Sequence, residues 1–325
     1  MVIHQRLLEQ WSQINKVIKI KSGTLKILIL GAEGFIGSHC VSHFLNNNHD
    51  VFGVDLYEQP TKQYTYRKVS RLSFEIENII SENDVDLIIN ASGSGNVGLS
   101  MNHPLIDFES NCLDLIRVLD AIRKFRPKTK FIHLSSAAVY GNPNRLPVKE
   151  TDELKPLSAY GWHKLISENI CKEYVQLYNL SISILRPFSV YGKSLKKQIF
   201  WDAYKKIIDN NISLELMGTG NESRDYIHIN DLVKAIELVA LNSPMNGDVY
   251  NVASGIETSI AKAIHIFIEK LDVKTAITFN NQVRKGDPLN WCADISKLRS
   301  IGFVSPILME EGLVDLASWF KNLKA

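Results

Sequence analysis

The strongest constraint on this chain lies near its start. Leu25-Lys26-Ile27-Leu28-Ile29-Leu30 is an almost unbroken apolar run, the pattern of a strand covered on both faces of a parallel sheet. It passes directly into Gly31-Ala32-Glu33-Gly34-Phe35-Ile36-Gly37 and then into a helical stretch through Leu45. A second strand, Val51-Phe52-Gly53-Val54, stops at Asp55. Strand, glycine turn, helix, strand and acid make a complete βαβ unit of the dinucleotide-binding kind. The glycines allow a tight turn and let a pyrophosphate approach backbone amides, and the helix N-terminus offers it partial positive charge. Asp55 is placed to accept from a ribose diol and would repel a 2′-phosphate, so NAD is expected rather than NADP.

The alternation continues. Residues 64–69, 85–89, 131–134 and 182–185 read as strands, and 72–80, 106–125 and 160–178 as helices, the second of these long and continuous. Strands alternating with helices predict an α/β fold with a doubly wound parallel sheet, a Rossmann architecture. Beyond Gly192 the rhythm changes, with helices near 199–210, 231–241 and 259–271 and strand-like stretches at 214–216 and 249–252. The expected organisation is a dinucleotide-binding domain over 25–190 and a smaller substrate-covering lobe over 191–325, partly interleaved with the main sheet. Before them, Leu7, Leu8, Trp11, Ile14 and Ile18 recur at helical spacing, which predicts an amphipathic extension over 1–24 that docks on the protein's own surface or a sister subunit.

Composition excludes other classes. A formal net charge of only +2 over 325 residues, without a basic stripe, gives no basis for a nucleic-acid or anionic-membrane partner. No apolar run is long enough to span a bilayer, and charged and polar residues interrupt the N-terminus where a signal peptide would need an apolar stretch. Cys40, Cys112, Cys171 and Cys292 are scattered without a C-x-x-C pair. They read as free thiols in a reducing cytoplasm rather than metal ligands, and no metal is expected.

Tyr160-Gly161-Trp162-His163-Lys164 places a phenol and an ammonium one helical turn apart on one face. An ammonium there is expected to lower the phenol pKa from about 10 and fit Tyr160 for proton transfer with a hydroxyl. Ser135 and Ser136 stand at the end of the strand just upstream.

Together these motifs resemble the extended short-chain dehydrogenase/reductase family, the NAD-dependent epimerases and dehydratases of nucleotide sugars. Gly-x-x-Gly-x-x-Gly, Leu134-Ser135-Ser136-Ala137-Ala138-Val139-Tyr140-Gly141, the Tyr160/Lys164 pair, Arg186-Pro187-Phe188-Ser189-Val190-Tyr191-Gly192, Ser223-Arg224-Asp225-Tyr226-Ile227-His228 and Arg284-Lys285-Gly286-Asp287-Pro288 all match its segments. The resemblance implies Tyr160 as acid/base, Lys164 holding the nicotinamide ribose, and Ser136 bonding the reacting oxygen. It implies Gly31, Gly34, Phe35, Ile36 and Gly37 along the pyrophosphate, Asp55 on the adenosine ribose, Ala91 and Ser92 flanking the cofactor, and Phe188 near the nicotinamide. Arg224 and Arg284 would clamp a nucleotide-sugar diphosphate, a geometry suited to guanidinium. Ser189 stands where an asparagine usually touches that diphosphate, and Trp291 where the family places a gate beside the sugar. Ser135 and His228 are expected to be structural, His163 solvated, and Asn111 either a helix anchor through a backbone bond or a plain surface residue.

Three departures stand out: no acid near Val69-Ser70, Gly95 where several hexose epimerases carry lysine, and Ser189 itself. Ala137 and Ala138 replace the acidic residues that dehydratases and decarboxylases of the family carry, so the resemblance implies an epimerase, with C4 inversion of a nucleotide hexose. The alternatives are an NAD(P)H-dependent reductase of a nucleotide 4-keto-6-deoxy sugar and a catalytically idle NAD-sensing or scaffold protein. A homodimer through the 106–125 and Tyr160 helices is also implied.

Overall fold

The computed structural model describes residues 23–58, 64–70, 75–209, 212–282, 286–305 and 307–323. Nearly all of the amphipathic stretch expected over 1–24, and Arg284, lie outside the described residues. Seven strands, β1 (Lys26–Leu30), β2 (Asp50–Asp55), β3 (Thr65–Lys68), β4 (Leu87–Asn90), β5 (Lys130–Leu134), β6 (Ile182–Pro187) and β10 (Asn246–Val252), form one sheet in the order β10-β6-β5-β4-β1-β2-β3. Every pairing is parallel. After its first residue β1 is buried throughout, as an apolar strand with helices over both faces must be. On one face Ile27, Ile29 and Leu185 meet Phe44 of the Phe35–Asn46 helix and Ile236 of the Ile229–Asn242 helix. On the other, Leu28, Leu30 and Ile88 meet Leu119 of the Asp114–Phe125 helix and Cys171 of the Ala159–Tyr178 helix. The fold is the doubly wound parallel sheet that the alternation predicts. Strand order reverses between β1 and β4, and in such sheets this reversal opens a crevice at the carboxyl ends of the strands.

The helix expected to run unbroken over 106–125 does not. It is split into Pro104–Phe108, a π-helical turn Glu109–Leu113, and Asp114–Phe125. Side chains take over carbonyls that the ladder would use: Ser110 Oγ donates to Ile106 O at 2.7 Å and Asn111 Nδ2 to Asp107 O at 3.1 Å. Such back-bonding bends a helix, and apolar periodicity does not reveal it.

The second lobe carries a three-stranded sheet of β7 (Ser189–Tyr191), β9 (Ser223–His228) and β11 (Glu257–Ser259), in the order β11-β9-β7, and a parallel pair, β8 (Ser213–Leu216) with β12 (Ala276–Phe279). Its core gathers Phe200, Tyr204, Phe267 and Phe320, with Tyr204 stacked on Phe320 at 4.3 Å between centroids. Among the described residues no helix is long and apolar enough to cross a membrane.

Candidate active site

The Ala159–Tyr178 helix has well-defined ends. Ser158 caps its start by accepting from Gly161 N at 3.2 Å, and Asn179 closes it in the left-handed conformation at φ 55°. Two contacts fix the first turn. Tyr160 N donates to Ser100 Oγ at 3.0 Å. Gly161 packs so tightly on the Ala138 carbonyl that a Cβ there would stand 2.7 Å from the oxygen.

Tyr160 is thereby brought near Ser136, which β5 delivers and whose hydroxyl favours the ionised phenol. Ser136 Oγ also accepts from Ala138 N at 3.1 Å, capping a short 3-10 turn, Ala137–Val139. Lys164 follows one turn along the helix, 5% exposed, with Nζ donating to Leu134 O at 2.9 Å and lying 5.9 Å from the Tyr160 ring centre.

The expected acidification of Tyr160 is not what this arrangement produces. Burial pushes the phenol up to about 12, the Ser136 hydrogen bond pulls it down, and the Asp107 charge adds to the rise. Burial also lowers Lys164 to about 8, against the opposing charges of Asp107 and its neighbours. In the protein alone, desolvation outweighs the pull of Ser136 on the phenol.

Behind the pair lies a buried polar network. Ser135 Oγ donates to Glu168 Oε1 at 2.6 Å, and Glu168 takes a two-pronged bond from Arg186. Arg186 also donates to Tyr140 Oη at 2.7 Å, and Tyr140 to Asn251 Oδ1 at 2.6 Å. Glu168 and Arg186 went unnoticed as site residues. The available signals were an arginine in the mostly apolar strand β6 and a glutamate two turns beyond Tyr160 on the same helix.

His163 is not solvated as expected. Its Nδ1 meets Asp107 Oδ2 at 2.7 Å, and Phe108 packs edge-on against its ring. Asn111 is buried and donates to Ser94 O and Asp107 O, so it neither bonds the Tyr160 helix nor lies on the surface. His228 ends β9 and caps the following helix by accepting from Asn230 N.

At the sheet reversal, the glycine turn forms a tight cradle. A Cβ at Gly37 would lie 1.9 Å from Gly31 O, and one at Gly31 would strike Ala91 and Ser92 at 2.8 Å. Gly34 is exposed at the helix cap, with Phe35 and Ile36 half-buried in the first turn. Ala91 N reaches Leu30 O at 2.9 Å, and Ser92 Oγ turns back to Asn90 Oδ1 at 2.6 Å. The Asp55 carboxylate, 8% exposed, accepts from Glu33 N at 2.8 Å and Leu56 N at 2.6 Å, and carboxylate oxygens can accept more than one donor each. Glu33, which the sequence reading passed over, places a second carboxylate beside it, bonded by Tyr64 Oη at 2.8 Å. The cradle and its acids fit NAD and oppose a 2′-phosphate.

On the other side of the crevice, buried Phe188 stands between Tyr140 and Trp291, at 6.1 and 5.8 Å between ring centres. Trp291 donates from Nε1 to Gly141 O at 2.9 Å. The Arg224 guanidinium lies 5.7 Å from the Trp291 ring centre and donates to the carbonyls of Ser223 and Leu289. Ser189, half-buried, opens β7. Lys197, from the second lobe, reaches Gly95 O at 3.4 Å, with its ammonium 3.2 Å from where a Gly95 Cβ would stand.

A glycine cradle at the reversal of a doubly wound sheet, facing a serine-tyrosine-lysine set, defines an extended short-chain dehydrogenase/reductase. More narrowly, the chain belongs to the NAD dependent epimerase/dehydratase family, whose model matches residues 27–253. A Methanocaldococcus jannaschii protein is 32% identical over 308 residues, covering 91% of this chain and 98% of its own length. The UDP-N-acetylglucosamine 4-epimerase of Methanobrevibacter ruminantium M1, solved with UDP-N-acetylmuramic acid, is 26% identical with a TM-score of 0.84, over 93% of this chain and 100% of that one. The UDP-glucuronic acid 4-epimerase of Bacillus cereus, solved with its UDP-sugar and NAD, is 25% identical with a TM-score of 0.83, over 92% and 100%. NAD is the cofactor, as the glycine turn and Asp55 predict.

Proposed function

We propose that the protein is a nucleotide-sugar epimerase that inverts C4 of a nucleoside-diphosphate hexose through a transient 4-keto sugar. The observation that carries this reading is the meeting of Ser136, Tyr160 and Lys164 at the strand ends beside the glycine cradle. Two structural neighbours of different sugar preference are both named as 4-epimerases of UDP-sugars, which supports the carbon inverted and leaves the sugar to this chain's own pocket.

NAD, when bound, supplies a hydride acceptor and a positive charge. Gly31, Gly34, Phe35, Ile36 and Gly37 would line its pyrophosphate, Asp55 would take its adenosine ribose, and Ala91, Ser92 and Phe188 would border it. Tyr160 takes the proton of the sugar C4 hydroxyl as that carbon is oxidised, and returns it once the ketone has turned over. Ser136 holds the reacting oxygen by a hydrogen bond. Lys164, as an ammonium, holds the nicotinamide ribose and favours the Tyr160 phenolate. Arg224 and Arg284 grip the diphosphate, with Ser189 beside it. Trp291, fixed from behind by Gly141, is a bulky wall that favours plain hexoses over N-acetylated ones.

Exposed Ile106, Phe108, Ile116 and Phe125 on the 106–125 stretch and Trp162, Leu177 and Tyr178 on the Tyr160 helix support a homodimer through these two elements, which sizing by light scattering tests directly. Four free, buried cysteines suit a reducing cytoplasm. The deciding experiment offers UDP-, dTDP-, GDP- and CDP-sugars to the purified protein and resolves the products by NMR. A C4 epimer formed with NAD retained supports the reading. One-way reduction with loosely held NADPH replaces it with a 4-keto-sugar reductase.

A further inference from the structure

Past Asp55 the carboxyl ends of β2 and β3 open into a cavity of ≈ 590 Å³, lined by Leu56, Lys68, Val69, Ser70 and Glu75. The pairing of the two strands fixes its place. Asp55 stands opposite Lys68 in the register. Leu56 N donates to the Asp55 carboxylate at 2.6 Å, and Val69 N to the Asp55 backbone carbonyl at 2.8 Å. The two apolar walls, Leu56 and Val69, are therefore each one hydrogen bond away from the acid proposed to take the adenosine ribose. In a nucleoside one bond joins sugar and base, so a ribose held at Asp55 would bring its base to these walls.

The polar part of the lining narrows what fits. Lys68 gives its ammonium to Glu58 at 2.8 Å, so its charge is matched before any phosphate arrives. Glu75 starts the Glu75–Glu82 helix and brings a half-buried carboxylate to the cavity. Apolar walls with an acceptor beside them suit a flat aromatic ring that carries an N–H donor on its edge. An ionised carboxylate only accepts. Adenine presents an exocyclic amino group as donor, whereas guanine and hypoxanthine present a carbonyl oxygen at that position.

We propose that this cavity seats the adenine of NAD, and that Glu75 selects it by accepting a hydrogen bond from the exocyclic amino group. Leu56 and Val69 cover the ring. Glu75 is then a specificity residue for the base of the cofactor, whereas Asp55 and Glu33 act at the ribose. A carboxylate accepts several donors at once, so Glu75 keeps its contacts within the protein and still takes this one. The inference rests on the proposed place of Asp55 at the adenosine ribose, and its test needs no turnover.

The test equilibrates the purified protein with equal concentrations of NAD and nicotinamide hypoxanthine dinucleotide. The bound dinucleotides are then released with acid and separated by chromatography. The unmodified protein is expected to hold NAD in about 10-fold excess or more, the scale of one hydrogen bond to a charged group. Glu75→Gln keeps the size of the side chain, and its amide can turn to meet either an amino group or a carbonyl. The excess should fall by about 5-fold or more in that variant. Asp55→Ala should lower the total dinucleotide bound and leave the ratio unchanged. An unchanged ratio in Glu75→Gln overturns the proposal even if less dinucleotide is bound, because a merely structural role does not tell an amino group from a carbonyl. Absence of any preference in the unmodified protein overturns it as well. Full occupancy in Asp55→Ala overturns it through its premise, by moving the ribose elsewhere. None of these outcomes decides the epimerase reading, which is read from sugar products.

Discussion

Arg186 and Glu168 face each other at the buried end of β6, with Nε to Oε1 at 2.8 Å and Nη2 to Oε2 at 2.7 Å, and neither side chain is more than 1% exposed. The pair joins the strand that leads to Phe188 to the helix that carries Tyr160 and Lys164. Glu168 also receives Ser135, the neighbour of Ser136. Removing one partner leaves the other charge buried and uncompensated. Glu168→Gln is therefore expected to destabilise the fold by about 3–5 kcal/mol in denaturant titration, with a loss of turnover in the fraction that remains folded.

Tyr160→Phe keeps the ring and its packing and deletes one oxygen. Turnover is expected to fall by about 10²–10⁴-fold, the scale of a lost general acid/base, while NAD content after purification stays near that of the unmodified protein. Equal turnover in the variant would return the protein to the idle or scaffold reading.

Lys164 has a definite pH signature. Its ordinary value is 10.5 and burial brings it to about 8. Between those values the unfolded chain holds the proton and the folded chain does not, so this group's contribution to stability rises with pH from about 8 to 10.5, and its penalty is complete below 8. Lys164→Met is thus expected to be more stable than the unmodified protein at pH 7 by about 1–2 kcal/mol, allowing for the lost bond to Leu134 O, and to be inactive. Its stability advantage should shrink above pH 8. In the unmodified protein, turnover should decline as pH rises through the titration of this ammonium.

Gly37→Ala tests the cradle. The added methyl would stand 1.9 Å from Gly31 O, so the turn must open. Purified protein is expected to carry little NAD, as measured by the absorbance of the released nucleotide, and to melt at a lower temperature.

Trp291→Ala tests the wall beside the sugar. The ratio of kcat/KM for an N-acetylated hexose to that for the plain hexose should rise by about 10-fold or more, the discrimination a bulky side chain can provide. An unchanged ratio would remove Trp291 from the specificity argument.

The sheet was legible because its signals are local. A nearly unbroken apolar run, a glycine turn and an acid occupy about 30 consecutive positions, and β1, β4 and β5 each announce their own burial. Tyr160 and Lys164 were legible for the same reason, being one helical turn apart. What escaped was long-range or energetic. The π turn at Glu109–Leu113 depends on side chains competing for carbonyls, which leaves the apolar period unchanged. Asp107 and His163 are 56 positions apart, so nothing in either segment marks them as partners. Spacing places an ammonium one turn from Tyr160 but is silent about how much water the fold removes from the phenol.

Lys197 and Gly95 give the last lesson. The resemblance to hexose epimerases implies a lysine where this chain has Gly95. In space an ammonium is there, contributed from 102 residues downstream and from the opposite lobe. The charge beside Gly95 therefore depends on how a distant segment of the chain is packed, and a substitution that displaces Lys197 would strip it away without altering position 95.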